Sequence, residues 1–560
     1  MIWKVKNKVV FPATEKNLIS FLEDNNVIGV DNETTGLNVH TSNILSIQFG
    51  NQHIQFVVDC NQYDITKLKP YLEDPSKLQI YHNAKFDLKF LYKHNIYPVN
   101  IYDTFLAECI LKTGYDRNES ELSLKDLGYK YVQVELDKSV RGIIHREGLS
   151  ERVIIYGASD VEYLELIMEA QLIEIKKYEL ERVLELENNV VKVIAKMEFT
   201  GICIDSKKWI DISTITETNV KQAENVLNDH ILDLATQNPR LRKYVNTQQN
   251  LFDFEEKKTT INWASPDQKK KILSIILNKE VEDVSDKTLQ KLKKETPLAK
   301  ELINLSKNQK LSTSFGIEFL KCINPITGKI HPETWQILQT GRMSQENPNL
   351  LQIPSHGDLS EKIKACFVAR EGYLMTDVDV SGFELRIMAE FSQDPLWLDV
   401  FNRGGDLHSE LCAKTFNIPL DKVKEPFPHK PDFTYRFIAK TVNFMLSYGG
   451  GAYKLSDIIQ ISKEDAQRII NQFFAVVPTL KKFLETIANL GATRGFIRTN
   501  GLYKRRRWFP NLDQENFKSV NEVKRASMNS VPQGKLCALY KFRKFREGCD
   551  ANPELCFIVI

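Results

Sequence analysis

The hydrophobic pattern changes character several times along the chain. Up to residue 185, short apolar runs alternate with amphipathic segments. Asn26–Asp31 (NVIGVD), Ile44–Phe49 and Ile54–Val58 read as strands, and Thr66–Leu72, Lys85–His94 and Val153–Glu174 as helices, which is an α/β arrangement. From about 175 to 320 the chain is mostly helical and rich in Lys and Glu. Apolar residues recur at helical spacing over Glu181–Met197, up to a stop at Gly201. A further helix is expected to begin at Ser265-Pro266-Asp267-Gln268, where the serine can cap, the proline suits the first turn and the glutamine completes a capping box. Residues 330–395 become strand- and turn-rich, 396–490 are helical again, and the remainder is mixed.

Composition narrows this picture. The chain has 560 residues, 42% hydrophobic and 26% charged, so it is long enough for several domains with sizeable cores and is neither disordered nor collagen-like. No apolar run reaches the ~18 residues of a membrane helix, and MIWKVKNKVVFPATEK lacks the apolar stretch of a signal peptide, so no membrane partner is expected. Nine cysteines without a C-x-x-C pair fit reduced thiols in a cytoplasmic setting. The net charge of +2 does not announce a nucleic-acid partner, though an even balance can hide local basic patches; Lys504-Arg505-Arg506-Arg507, Lys541–Arg546 and Lys269-Lys270-Lys271 are by default solvated charged faces, with phosphate contact the alternative.

Acidic residues supply candidate metal chemistry. In VIGVDNETTGL, Asp31 and Glu33 sit two apart on a strand, so both carboxylates share one face. In YHNAKFDLKFL, Asp87 follows Asn83 by one helical turn, and in IIYGASDVEYL, Tyr156 and Asp160 are also one turn apart. Four carboxylates and a phenol from three segments suit two Mg²⁺ or Mn²⁺ ions, which prefer hard oxygen ligands and promote phosphodiester hydrolysis. Each piece alone is more often without function, the D-x-E triplet a chance occurrence and Tyr-x-x-x-Asp a solvated helix face. In their order and context they resemble the three motifs of the DEDD-type 3′–5′ proofreading exonucleases, in the variant with a tyrosine in the third motif, and VELDKSVRG resembles the stretch before that motif. The resemblance implies that Asp31, Glu33, Asp87 and Asp160 hold two metals and that Tyr156 orients the attacking water.

In RFIAKTVNFMLSYGG, Arg436, Lys440, Phe444 and Tyr448 follow at four-residue steps, which drift by only ~40° each on a helix and form one stripe. Two cations and two aromatics suit a nucleoside triphosphate, whereas cations on a core-facing stripe are costly unless paired. The segment resembles motif B of the family A DNA polymerases, the DNA polymerase I family, through Gly449. MTDVDVSGFELRIMAEFS resembles motif A, with Val380 and Gly382 in place of the usual tyrosine and glutamine. This implies that Asp379 binds both polymerase metals, Glu384 excludes a ribose 2′-hydroxyl and Arg386 supports the site. Resemblance also implies a triphosphate contact at His408 (GGDLH) and primer contacts at Arg342 and Asn349 in TGRMSQENPNLLQIP, where Leu351 and Gln352 depart from the family pattern. Gln352 nevertheless stands as a candidate DNA contact, as do Arg525, Asn529 and Gln533 in RASMNSVPQG; INWASPDQ resembles a thumb element.

The resemblance divides the chain into an RNase H-like exonuclease domain (1–185) and a right-hand polymerase made of a thumb (186–330), a first part of the palm (331–395), fingers (396–490) and a second part of the palm (491–560). The expected function is DNA-directed DNA synthesis with proofreading, using primer-template DNA, dNTPs and two Mg²⁺ or Mn²⁺ per site in the cytoplasm, that of a host if the chain is phage-encoded. The chain ends at the apolar run ELCFIVI, where the family's His-Asp-Glu motif C would follow, so a fragment, or a split enzyme whose second polypeptide carries motif C, is expected. Two other readings stand beside it: an exonuclease with an inactive polymerase half, and a primer-template binding module that needs a complementing chain.

Overall fold

Seven strands near the start of the chain pair into one mixed sheet: β1 (Ile2–Lys6), β2 (Val9–Ala13), β3 (Val27–Thr34), β4 (Ile44–Gly50), β5 (Gln55–Asp59), β6 (Leu78–Tyr81) and β7 (Ile101–Asp103). Their order is β2-β1-β5-β4-β3-β6-β7, and only the β3–β6 and β6–β7 pairs are parallel. The computed structural model describes residues 1–116, 121–137, 140, 144–249, 255–354, 357, 359–376, 380–428, 430–499 and 501–550. The candidate metal ligand Asp379, Lys138, Ser139, Arg141 and Gly142 of the VELDKSVRG stretch, and the terminal ELCFIVI run lie outside these residues. The described residues form two units, one of Met1–Thr200, Glu333–Glu346 and residues 380–550, the other of Gly201–Pro332 and Asn347–Thr376.

In the first unit, Ile28, Val30, Ile47, Phe49 and Ile80 of the sheet share a core with Leu88, Val161, Leu164 and Val183 from the helices that cover it. Three sequence expectations are refined here. The helix expected over Val153–Glu174 is two helices, Glu151–Glu162 and Leu164–Lys177, because Tyr163 leaves helical geometry at φ −110° and ψ 2°. The one expected over Thr66–Leu72 is a 3₁₀ turn, Ile65–Leu68, followed by the short helix Lys69–Leu72, in whose first turn Pro70 cannot donate a hydrogen bond. Asn83 does not share a helical turn with Asp87: it is left-handed at φ 69°, ahead of the Ala84–Lys93 helix. The buried Asp103 carboxylate fixes that entry by accepting the Asn83 and Ala84 N–H groups at 3.0 and 2.9 Å, and it also caps the Thr104–Leu111 helix.

Farther along the first unit, Leu385, Trp397, Leu411, Ile438, Val442 and Phe473 gather a second core. The long helix Phe517–Asp550 crosses the Pro478–Arg494 helix so closely that a Cβ at Gly491 would overlap Ser527 Oγ.

In the second unit the 32-residue Ser206–Gln237 helix packs along Pro297–Phe315 over a core that includes Leu227, Ile231, Trp263, Ile272 and Leu302. A three-stranded sheet of Lys329–Ile330, Ile202–Ile204 and Phe367–Val368 lies in the same unit. Ser265 caps the Pro266–Leu277 helix as expected, but Gln268 accepts from the Asn262 N–H at 2.7 Å instead of closing on the cap residue. Lys269 is buried in this helix, which removes it from the proposed phosphate-facing lysine triplet.

The basic run Lys504–Arg507 also departs from the sequence reading, because most of it faces partners inside the first unit. Lys504 pairs with Glu179 at 3.3 Å, Arg505 is buried against Glu187, and Arg507 donates to Gln339 and Ser530 at 2.6 and 3.0 Å. The Arg506 guanidinium lies over the rings of Tyr178, Phe496 and Trp508, 4.1–4.6 Å from their centroids. Lys541 is buried as well, 2.8 and 3.0 Å from the two Glu187 oxygens. In the second run, the side chains beyond Phe542 lie outside the described residues.

Burial alone would raise the Glu187 carboxyl, yet Lys541 and Arg505 hold it below its ordinary range. A depressed carboxylate stabilises the fold above its ordinary pKa, and that contribution is lost as pH falls through the folded value. Glu187→Gln leaves two buried cations unpaired and is expected to lower the unfolding free energy at pH 7 by about 3–5 kcal/mol in urea denaturation. The same variant should show a shallower loss of stability between neutral and acid pH.

Candidate active sites

Close packing of the Glu151–Glu162 helix on the sheet assembles the first site. A Cβ at Gly29 of β3 would lie 2.8 Å from the Val161 carbonyl oxygen, one at Gly50 of β4 would lie 2.9 Å from Val161 Cγ2, and one at Gly157 would lie 2.8 Å from Gln48 Nε2. Three glycines therefore let helix and sheet approach more closely than side chains would permit. The approach brings Asp160 to the strand face that carries Asp31 and Glu33. Ligand oxygens of these three residues lie within 4.8 Å of one another.

Asp87 stands outside that trio but is tied to it, since its Oδ1 accepts the N–H of Asn32, the residue between Asp31 and Glu33, at 3.0 Å. Burial raises the Asp87 carboxyl well above the usual carboxylate range; the Asn32 N–H opposes this, and the Asp103 and Glu33 carboxylates add to it. Tyr156, one turn before Asp160, is buried in an apolar cluster with Val140, Ile144 and Val153. An all-carboxylate donor set this compact fits a hard divalent cation.

Sequence reasoning missed a cavity of about 430 Å³ between the Ala84–Lys93 helix and the Glu333–Trp335 strand, lined by Leu37, Asn83, Lys85, Phe86, Lys89 and Trp335. The available signal was the lysine pair that brackets Asp87 in NAKFDLKFL and the lone apolar Leu37, a residue that the fold leaves 80% exposed.

The second site surrounds the Tyr435–Ser447 helix. Arg436, Lys440 and Phe444 lie on it, and Tyr448 is its C-terminal cap. Arg436 pairs with Asp406 at 2.7 Å, and Lys440 is exposed. Asp406 also caps the Leu407–Phe416 helix by accepting the His408 N–H at 3.1 Å, and the His408 ring lies 5.4 Å from that of Phe444. Gly449 turns left-handed at φ 71° after Tyr448, where a Cβ would stand 3.0 Å from Arg525 Cγ.

Arg525, Asn529 and Gln533 follow at helical spacing along Phe517–Asp550. Arg525 is exposed, Gln533 is buried, and Asn529 Oδ1 is a buried acceptor without a partner among the described residues. Glu384, in the first turn of the Phe383–Ser392 helix, accepts from Arg342 at 2.7 Å, so two candidate contacts are already paired with each other. Arg386 donates to the Ser381 carbonyl at 3.1 Å and lies over the Phe401 ring. In the second unit, Asn349 caps the Leu350–Gln352 turn by accepting the Leu351 N–H at 3.1 Å, and Gln352 is exposed.

Residues 233–542, more than half of the chain, match the family described as DNA polymerase family A. The chain belongs to this family. Residues 9–176 match the family described as 3′-5′ exonuclease, so a family A polymerase domain follows an exonuclease domain. Among curated relatives, DNA polymerase I of Pseudomonas aeruginosa is 26% identical over 545 residues, covering 93% of this chain and 56% of the relative. The thermostable DNA polymerase I of Thermus aquaticus is 29% identical over 361 residues, covering 64% of this chain and 40% of the relative. The chain thus spans about half the length of the curated relatives it matches. The solved POL domain of Pol1 from M. smegmatis, a complex with DNA primer-template and dNTP, has the same fold, with a TM-score of 0.77, 22% identity, and coverage of 97% of this chain and 89% of that one. No helix among the described residues is long and apolar enough to cross a membrane.

Two outcomes are expected from this geometry. Gly29→Ala forces the Val161 backbone away from β3 and should cost about 1–3 kcal/mol in urea denaturation, as overpacking does. Burial lowers His408 to about 4, with Arg436 and Lys440 assisting and Asp406 opposing, so the imidazole stays neutral at pH 7. An unfolded histidine gains its proton near pH 6.5, so this site destabilises the fold as pH drops from about 6.5 toward 4. The His408 Hε1 resonance should titrate near the lower value, and a midpoint above 6 would contradict the packing described.

Proposed function

We infer that this chain degrades DNA from the 3′ end at the Asp31 site and supports template-directed dNTP addition at the Arg436–Tyr448 site. The observation that carries the hydrolytic half is the gathering of Asp31, Glu33 and Asp160 from a strand and a helix into one group of oxygen donors. Asp31, Glu33, Asp87 and Asp160 would hold a pair of Mg²⁺ or Mn²⁺ ions. Bound there, the ions supply an activated water and neutralise charge at the scissile phosphate. Tyr156 orients that water from one turn before Asp160.

For synthesis, Arg436 and Lys440 neutralise the triphosphate, Phe444 covers the sugar and Tyr448 meets the base pair. His408, kept neutral, contributes a further triphosphate contact. Glu384 fills the space a ribose 2′-hydroxyl would need, and Arg342 holds its carboxylate in place at 2.7 Å until primer DNA competes for the guanidinium. Asp379 would carry the polymerase metals. Asn349, Gln352, Arg525, Asn529 and Gln533 contact primer-template DNA; the unpartnered Asn529 acceptor supports such a role. On this reading residues 1–185 are the exonuclease domain, 186–330 the thumb, 331–395 and 491–560 the palm, and 396–490 the fingers.

A 5′-labelled primer-template with Mg²⁺, with and without dNTPs, tests both halves. Shortening without dNTPs is expected, and Asp31→Ala/Asp160→Ala should slow it by more than roughly 100-fold, beyond what loss of an outer-sphere partner costs. Lengthening with dNTPs supports the synthetic half. Shortening without lengthening assigns this chain the exonuclease alone and leaves synthesis to a complementing chain; a mobility shift without turnover reduces it to a binding module.

A further inference from the structure

Glu198 lies in the last turn of the Glu181–Thr200 helix, and its side chain is only 3% exposed. Its Oε1 accepts Lys85 Nζ at 2.8 Å and the Thr334 N–H at 2.6 Å, and its Oε2 accepts Lys89 Nζ at 2.8 Å. Lys85 also donates to the Thr334 carbonyl at 2.6 Å. One carboxylate therefore grips two different elements. The first is the Ala84–Lys93 helix, whose residues 85 and 89 share one face while Asp87 points roughly oppositely, toward Asn32. The second is the Glu333–Trp335 strand, which pairs antiparallel with Ser344–Glu346; Arg342 lies in the connection between them and is bonded to Glu384 at 2.7 Å.

Trp335 of the same strand also packs on the Thr104–Leu111 helix, its ring edge-on to Phe105 at 5.5 Å. The lysine pair cannot leave Glu198 without stranding a nearly buried carboxylate that has lost its countercharges, so the helix carrying Asp87 has little freedom to rotate or slide.

We propose that Glu198 is a positioning residue that locks the Asp87 helix to the Arg342 hairpin, so that the two candidate sites share one mechanical reference. The inference rests on reading the four carboxylates as a metal site, and it goes beyond that reading by placing control of the site on a residue on the far side of the helix. Thr334 takes part through its backbone, so the hairpin contributes to the placement of Asp87 through Lys85 but not through Lys89.

Mn²⁺ binding to the full chain, followed by electron paramagnetic resonance, tests this without depending on turnover. The relevant signal is the part lost in Asp31→Ala/Asp160→Ala. Glu198→Gln is expected to weaken it about tenfold, Lys85→Met roughly fivefold and Lys89→Met about twofold, by analogy with outer-sphere partners of metal ligands. Circular dichroism confirms that each variant is folded, and a purely structural role would lower the melting temperature while leaving the Mn²⁺ affinity of the folded protein unchanged. Wild-type affinity in Glu198→Gln overturns the proposal; should that variant not fold, wild-type affinity in both lysine variants does so. Absence of a wild-type signal sensitive to Asp31→Ala/Asp160→Ala overturns the metal reading itself, and this proposal with it.

Discussion

Carboxylates gathered within 4.8 Å of one another repel, and the first site exists because helix–sheet packing overrides that repulsion. Gly29, Gly50 and Gly157 remove the side chains that would otherwise separate the Glu151–Glu162 helix from β3 and β4. Asp160 is then held near Asp31 and Glu33 by the apolar contacts of its own helix, with Val161 in the sheet's core. Asp87 is fastened separately, through the Asn32 amide on one side and the entry turn set by Asp103 on the other. The unfavourable electrostatics are local, whereas the packing that tolerates them is spread over the whole domain.

Buried charge recurs elsewhere in the same unit with the opposite balance. Glu187 meets both Arg505 and Lys541, and Glu198 meets both Lys85 and Lys89, so each acid is outnumbered. Both acids lie on the Glu181–Thr200 helix, a little over three turns apart, with the sheet domain on one side and segments from beyond residue 330 on the other. Pairs of this kind add little net stability but penalise every arrangement in which a partner is missing, which favours one register between segments distant in sequence.

Much of the first site was legible because its logic is periodic. The two-residue period of β3 puts Asp31 and Glu33 on one face, and the four-residue step on the following helix pairs Tyr156 with Asp160. The manner in which Asp87 joins was not legible, since Asn83 abandons the helix under the pull of Asp103, twenty residues later in the chain. The break at Tyr163 also escaped a pattern that stays amphipathic through it. The basic run at 504–507 misled for a related reason: a cluster of like charge suggests solvent, whereas its partners Glu179, Glu187 and Gln339 come from far upstream and leave no local signal. In the second site the stripe from Arg436 to Tyr448 was readable from spacing, but its anchoring by Asp406 depends on a neighbouring helix that only the fold supplies.

The left-handed turn at Gly449 has a mechanical corollary. Its close approach to Arg525 anchors the C-terminal end of the Tyr435–Ser447 helix, and the opposite end is held by the Arg436 contacts to Asp406 and Ser409, by the Tyr435 ring against Phe416 and Phe427, and by the Tyr435 and Arg436 N–H groups donating to the Glu425 and Val423 carbonyls. Thirteen residues at about 1.5 Å each make a rod close to 20 Å long. Clamped at both ends, the helix acts as a strut that fixes the spacing of Arg436, Lys440, Phe444 and Tyr448 along one line.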